Sequence, residues 1–183
     1  MCFAGMMGGR VCKKSGLKSV RRQGVNVKQR VYLETTIVSY LTARPSRDLV
    51  LAAHQEVTRQ WWEEQRGQFR LFVSQFVLDE AGDGDPMAAA ERLKLLDGFP
   101  LLPLTDEVRD VATGLLDAGI LPPKAQADAV HIAAATVHEM DVLLTWNCRH
   151  LANGVLLGSV GRHLRSEGYE VPIICTPDEL IGD

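Results

Sequence analysis

The stretch from Gln126 to His150, QADAVHIAAATVHEMDVLLTWNCRH, constrains this chain more than any other. Ala129, Ile132, Ala133, Thr136 and Val137 recur at the spacing of one helix face, and Asp128 stands in the first turn of that helix. The Val142-Leu143-Leu144 run that follows is short, apolar and β-branched at one end, which predicts a buried strand. In an open α/β sheet with this strand central and parallel, ligands gather at its carboxyl end, Thr145-Trp146-Asn147, and Asp128 must share that edge.

The rest of the chain alternates in the same way. Val31-Tyr32-Leu33 predicts a first strand ending at Glu34, and Thr35 to Leu41 a helix with Thr35 or Thr36 as its cap. Leu49 to Gln65 predicts a helix capped by Ser46 or Asp48 and ended by Gly67. Trp61 and Trp62 fall in its last turns, where neighbours diverge by about 100 degrees, so one is expected on the core and the other at a surface. Phe69 to Ser74 predicts a second strand, and Gln75 to Ala81 a helix carrying Asp79 and Glu80. Gly82-Asp83-Gly84-Asp85-Pro86 opens like a calcium loop but lacks the later ligands and the closing glutamate, so it reads as a turn.

Beyond it, Met87 to Leu96 predicts a helix, Leu101 to Leu104 a strand, and Glu107 to Asp117 a helix capped by Thr105 and ended by Gly119. Asn153 caps a helix running to about Glu167, Val171 to Cys175 predicts a last strand, and Pro177 to Leu180 a short helix. Strands alternating with helices predict an α/β fold: a mostly parallel sheet, covered on both faces and joined by right-handed crossovers.

A chain of 183 residues with 46% hydrophobic content supplies one sizeable core and is short for two. No apolar run approaches the roughly 18 residues of a membrane span. Cys2, Cys12, Cys148 and Cys175 show no C-x-x-C spacing, so neither a zinc site nor a disulfide framework is expected, and reduced thiols fit a cytoplasmic protein. Charge is unevenly placed: residues 1–30 hold eight of the 20 basic residues and no acid, so the remaining twelve basic residues face all 23 acids, a net charge of −11.

The expected organisation is therefore a basic, disordered arm over residues 1–28 and one domain over 29–183. The arm can contact phosphates, or it can simply be solvated; a start codon placed too far upstream accounts for it equally well. It does not read as a secretory signal, because the apolar patch Met1 to Met7 precedes the charges. Nor does Gly8 to Ser15 read as a phosphate loop, because Lys13 stands where a glycine is required.

Glu34, Glu80 and Asp128, spaced by 46 and 48 residues, fall at the predicted strand-to-helix junctions. Three separate elements can aim them at one place; three ordinary surface carboxylates are the other reading. The motifs decide between these. Val31-Tyr32-Leu33-Glu34-Thr35-Thr36 resembles the first-strand motif of PIN-domain ribonucleases, hydrophobic residues followed by Asp-Thr-Ser. Ala127-Asp128-Ala129-Val130-His131-Ile132-Ala133 resembles their third acidic motif and Leu143-Leu144-Thr145-Trp146-Asn147 their fourth.

The resemblance covers about residues 30–181 and points to the VapC-like toxins of type II toxin-antitoxin systems. It implies a three-layer α/β/α sandwich and a Mg²⁺- or Mn²⁺-dependent endoribonuclease, commonly a homodimer held by a cognate antitoxin. Carried onto this chain, the catalytic set is Glu34, Glu80, Asp128 and Asn147, with Glu34, Glu80 and Asp128 as metal ligands.

Two positions depart from the family pattern. Glu34 keeps the charge of the family aspartate but extends it by a methylene, and Asn147 replaces an acid with an amide. Three clustered carboxylates repel one another and raise their proton affinity, which a divalent cation offsets. Mg²⁺ is often held by only one or two carboxylates plus water and phosphate, so one ion can still bind.

Thr36 and Thr145 are expected to hold waters or a phosphate oxygen, and Arg149 and His150 to contact the RNA backbone or to be solvated. His131 reads as a packed, hydrogen-bonded core residue or as a metal or phosphate ligand. Trp146 reads as a base-stacking platform or a core seal. The rival function is a catalytically weakened PIN-like module that binds nucleic acid or a protein; a purely structural protein using Trp61 and Trp62 would show no metal dependence.

Overall fold

The computed structural model describes residues 27–149 and 151–181, so most of the basic arm and His150 lie outside the described residues. Arg30–Leu33 (β1), Arg70–Ser74 (β2), Leu101–Leu102 (β3), Val142–Leu144 (β4) and Ile173–Cys175 (β5) form one sheet in the order β3-β2-β1-β4-β5. Every pairing is parallel. Central strands of such a sheet are buried on both faces, and β1 and β4 are accordingly apolar without alternation: Val31, Tyr32, Leu33, Val142, Leu143 and Leu144 are all buried.

The chain builds outward from β1 to β2 and β3, then crosses back to place β4 on the other side of β1. Strand order reverses between β1 and β4. At such a switch point the following helices leave on opposite faces and open a crevice at the carboxyl ends of the strands.

The helices are Thr35–Thr42 (α1), Leu49–Gln60 (α2), Gln75–Ala81 (α3), Pro86–Leu96 (α4), Asp106–Asp117 (α5), Gln126–Val137 (α6) and Gly154–Ser166 (α7). Helix α1 packs on α2, α3 and α4, and α5 packs on α6. Their starts follow local chemistry: Asp48, Asp85, Thr105 and Asn153 each accept backbone N–H groups that the first helical turn leaves unpaired. The result is the PIN-like α/β/α arrangement that the motifs imply.

Five local expectations are corrected. The cap of α1 is Glu34 itself, whose carboxylate accepts from Thr36 N, because the longer side chain folds back over the first turn. β3 stops at Leu102 and β5 starts only at Ile173, since Pro103 and Pro172 have no N–H for the ladder.

Trp61 and Trp62 are both buried, at 0% and 8% exposure. A wide π turn over Trp61–Gln65 changes the helical spacing, so both rings turn inward, Trp61 against Phe69 and Trp62 edge-on to Phe99 beneath the Arg66 guanidinium. Glu80, expected at a strand-to-helix junction, lies in the second turn of α3.

Candidate active site

Glu34 is the residue at which β1 becomes α1. Its backbone N–H donates to Leu144 O at 3.0 Å, continuing the pairing with β4 one step past the strand. Glu34 is 5% exposed, and one oxygen of its carboxylate, Oε2, takes three donors. These are Thr36 N at 3.1 Å, the Thr36 hydroxyl, and the Thr145 hydroxyl at 2.8 Å. The two threonines are anchored in turn: Trp146 N donates to Thr36 Oγ1 at 2.9 Å, and Asn147 N to Thr145 Oγ1 at 2.9 Å. Both hydroxyl protons, expected from the sequence to meet water or phosphate, are instead committed to Glu34, and they fix its carboxylate across the switch point.

Glu34 Oε1 accepts no hydrogen bond among the described residues. It faces His131 Nε2 at 3.9 Å, too far for a hydrogen bond. The same His131 Nε2 lies 3.0 Å from Glu80 Oε2, which also accepts the Thr35 hydroxyl. On its other side, His131 Nδ1 is 2.9 Å from the Tyr32 hydroxyl, which is 2.8 Å from Ser74 Oγ. Ser74 caps α3, and its oxygen accepts Val77 N. A buried polar line therefore runs from Ser74 through Tyr32 and His131 to Glu80, tying β2, β1, α6 and α3 together. His131, 1% exposed and edge-on to Phe76, is a packed core histidine whose Nε2 is nonetheless aimed at two carboxylates.

The titration behaviour follows from these contacts. Burial pushes the Tyr32 phenol far above its ordinary range; the Ser74 hydrogen bond only partly offsets this, and the nearby charges of Glu34 and Glu80 add to it. Tyr32 is therefore neutral at any physiological pH. For Glu80, burial acts to raise the pKa, but the hydrogen bond and charge of His131 and the Thr35 hydroxyl outweigh it, leaving the carboxyl below its usual value.

Asp128 stands in the first turn of α6, 8% exposed, and accepts Asn147 Nδ2 at 2.6 Å. Asn147 thus donates a hydrogen bond to Asp128 while bringing no charge of its own. Among the described residues, the group whose ligand atoms lie within 4.8 Å of one another is Glu34, Glu80 and His131. Asp128 joins it indirectly, through Asn147 and Thr145 to Glu34.

Arg149 is exposed beside this edge. Trp146 is buried, stacked on His54 with centroids 4.1 Å apart and donating from Nε1 to Thr58 Oγ1 at 2.7 Å, so it seals the core rather than offering a free face. Tyr32, Thr35 and Ser74 were not singled out from sequence. Tyr32 left a legible signal: a tyrosine inside a continuous apolar strand needs a buried partner for its hydroxyl.

Two carboxylates and an imidazole around an undonated glutamate oxygen suit a divalent cation, whose charge offsets the mutual repulsion of the acids. A parallel sheet in the order β3-β2-β1-β4-β5, covered by helices and carrying acids at its switch point, defines an α/β/α class of fold. Within that class, the chain is similar in fold to a chain in the crystal structure of VapBC2 from Rickettsia felis bound to a DNA fragment from their promoter. The TM-score is 0.52 at 13% identity, over 81% of this chain and 98% of that one. No family model matches the sequence, and no curated protein matches it significantly.

Proposed function

We propose that this protein is a VapC-like, metal-dependent endoribonuclease that hydrolyses RNA phosphodiester bonds and is inhibited by a cognate antitoxin. The observation that carries the reading is the meeting of Glu34 and Glu80, from separate elements, at the β1/β4 switch point, with one Glu34 oxygen that takes no donor among the described residues. The PIN-like motifs and the fold likeness to VapBC2 support the same class.

Glu34, Glu80 and Asp128 supply the negative charge that holds Mg²⁺ or Mn²⁺. A bound ion would acidify a water and polarise the scissile phosphate. Thr36 and Thr145 hold Glu34 at a fixed angle, so its free oxygen points at the reacting centre without reorganisation. Asn147 holds Asp128 in place, and Arg149 meets the RNA backbone. The acidic body repels phosphate chains except where a cation reverses the potential, which favours a selective, structured RNA target. An antitoxin and a second copy of the chain complete the assembly, in the cytoplasm.

The second reading, a catalytically weakened PIN-like module that binds nucleic acid or protein, is favoured by one observation: the Asn147 amide, standing where the family has an acid, is donated to Asp128. The deciding experiment is cleavage of a mixed structured-RNA pool by purified, antitoxin-free protein with Mg²⁺, Mn²⁺ or chelator, beside Asp128→Asn and Asn147→Asp. Metal-dependent cleavage that disappears in Asp128→Asn establishes the nuclease. An inert wild type beside an active Asn147→Asp establishes the weakened module.

A further inference from the structure

We propose that His131 is itself a metal ligand and that, with Glu34 and Glu80, it makes an N,O,O site selective for nitrogen-accepting divalent ions such as Mn²⁺, Co²⁺ or Zn²⁺ over Mg²⁺. This rests on the nuclease reading and deepens it, by changing the donor set from three carboxylates to two carboxylates and an imidazole.

The distances come first. Donors sharing an ion at bonds of about 2.1 Å stand no more than about 4.2 Å apart. His131 Nε2 is 3.9 Å from Glu34 Oε1 and 3.0 Å from Glu80 Oε2, so both pairs already meet that limit. Asp128 is absent from this group and is engaged by Asn147.

Burial points to a ligand independently. Glu34 is 5% exposed, yet its Oε1 accepts no hydrogen bond among the described residues while Oε2 accepts three. A nearly buried carboxylate oxygen that takes no donor among the described residues and lies 3.9 Å from an imidazole nitrogen is placed to receive a cation.

The support behind His131 is that of a metal-binding histidine. Such a residue donates its second ring N–H to a fixed acceptor, which sets the tautomer and the ring angle. Here the Tyr32 hydroxyl lies 2.9 Å from Nδ1 and can accept that proton while passing its own to Ser74 Oγ, 2.8 Å away. The line can also run the other way, with Ser74 donating to Tyr32, Tyr32 to Nδ1, and Nε2–H to Glu80. The second polarity satisfies Tyr32 and both ring nitrogens while no ion is bound, and the first does so once an ion takes the place of the Nε2 proton, which leaves to solvent as Nδ1 gains one, so binding at Nε2 orphans no ring nitrogen. Imidazole suits Mn²⁺, Co²⁺ and Zn²⁺ better than Mg²⁺, which strongly prefers oxygen.

The test uses the full chain free of bound partner. Mn²⁺ is titrated calorimetrically and the bound ion is examined by pulsed electron paramagnetic resonance, where a directly bonded nitrogen gives a characteristic echo modulation. Wild type is expected to show the nitrogen coupling, which needs no variant and no activity. His131→Gln is expected to lose the coupling and to weaken Mn²⁺ binding by at least tenfold with Mg²⁺ affinity little changed. Tyr32→Phe, which removes the acceptor behind Nδ1, should weaken Mn²⁺ by about 10- to 100-fold.

Mn²⁺ bound by wild type without nitrogen coupling overturns the proposal, as does unaltered Mn²⁺ affinity in a folded His131→Gln. If either result accompanies metal-dependent RNA cleavage, the nuclease reading stands and only the histidine ligand falls. If no divalent ion binds at all, both fall together.

Discussion

Thr145 and Glu34 stand 111 residues apart in the chain, yet the hydroxyl of one donates to the carboxylate of the other at 2.8 Å across the two central strands. The bond is fully buried on the threonine side and anchors the loop after β4 as well, since the same oxygen accepts Asn147 N. Thr145→Val keeps the shape and removes both functions. It should lower unfolding free energy by about 1–3 kcal/mol in urea, the cost of leaving buried polar groups unpaired, whereas Thr145→Ser should stay close to wild type. A valine variant as stable as the parent would show that the hydroxyl anchors nothing.

Asn147→Asp replaces a donor 2.6 Å from Asp128 Oδ1 with a second carboxylate. The loss of a hydrogen bond to a charged group and the new repulsion should cost about 2 kcal/mol or more in chelator. Mn²⁺ should recover more of the melting temperature in this variant than in wild type, because the cation offsets the added charge. Equal melting temperatures in chelator would contradict this.

Trp146 is held by its indole N–H on Thr58 and by its face on His54. Trp146→Phe keeps an aromatic face and should lose about 1 kcal/mol, while Trp146→Ala should lose about 3–5 kcal/mol through the cavity it leaves. Denaturant unfolding of the pair separates the hydrogen bond from the packing; equal losses would refute the assignment.

Cys175 is buried, and that burial, followed by the charges of Glu179 and Asp178, pushes its thiol up to about 12. A pKa raised on folding means that the neutral thiol stabilises the native state below the ordinary cysteine value, and that this contribution is lost as pH rises toward the folded value. Stability should therefore fall between about pH 9 and 12, and less so in Cys175→Ala. At pH 8, peptide-resolved alkylation should label exposed Cys148 well before Cys175. Equal labelling of the two in folded protein would sink the idea.

Much of this architecture can be read from residue order alone. The apolar, unalternating Val31-Tyr32-Leu33 and Val142-Leu143-Leu144 runs mark strands buried on both faces, and Asp48, Thr105 and Asn153 mark helix starts by their side-chain oxygens. What was not legible depends on distant pairings. Glu34 shows in the sequence as an acid after a strand, and Thr36 is a local partner, but that Thr145 also reaches its Oε2 follows only from the β1/β4 register. His131 has two readings because helical spacing places it one turn from Asp128, and only the fold shows that it lies against Tyr32 from β1 and Glu80 from α3. The tryptophan pair misleads because a π turn has no compositional signature.

The central strands also impose an order of events. β1 pairs with β4, so the two sides of the acidic edge come from segments 111 residues apart at Glu34 and Thr145, and the helix bearing His131 is made only shortly before β4. Contacts this distant in sequence close late. A ribosome-bound chain that has not yet exposed Val142 to Leu144 has β1 without its central neighbour and Glu34 without Thr145. The acidic edge is thereby assembled only once β4 is available, and a fragment that stops short of it holds Glu34 without the strand and the hydroxyl that fix its carboxylate.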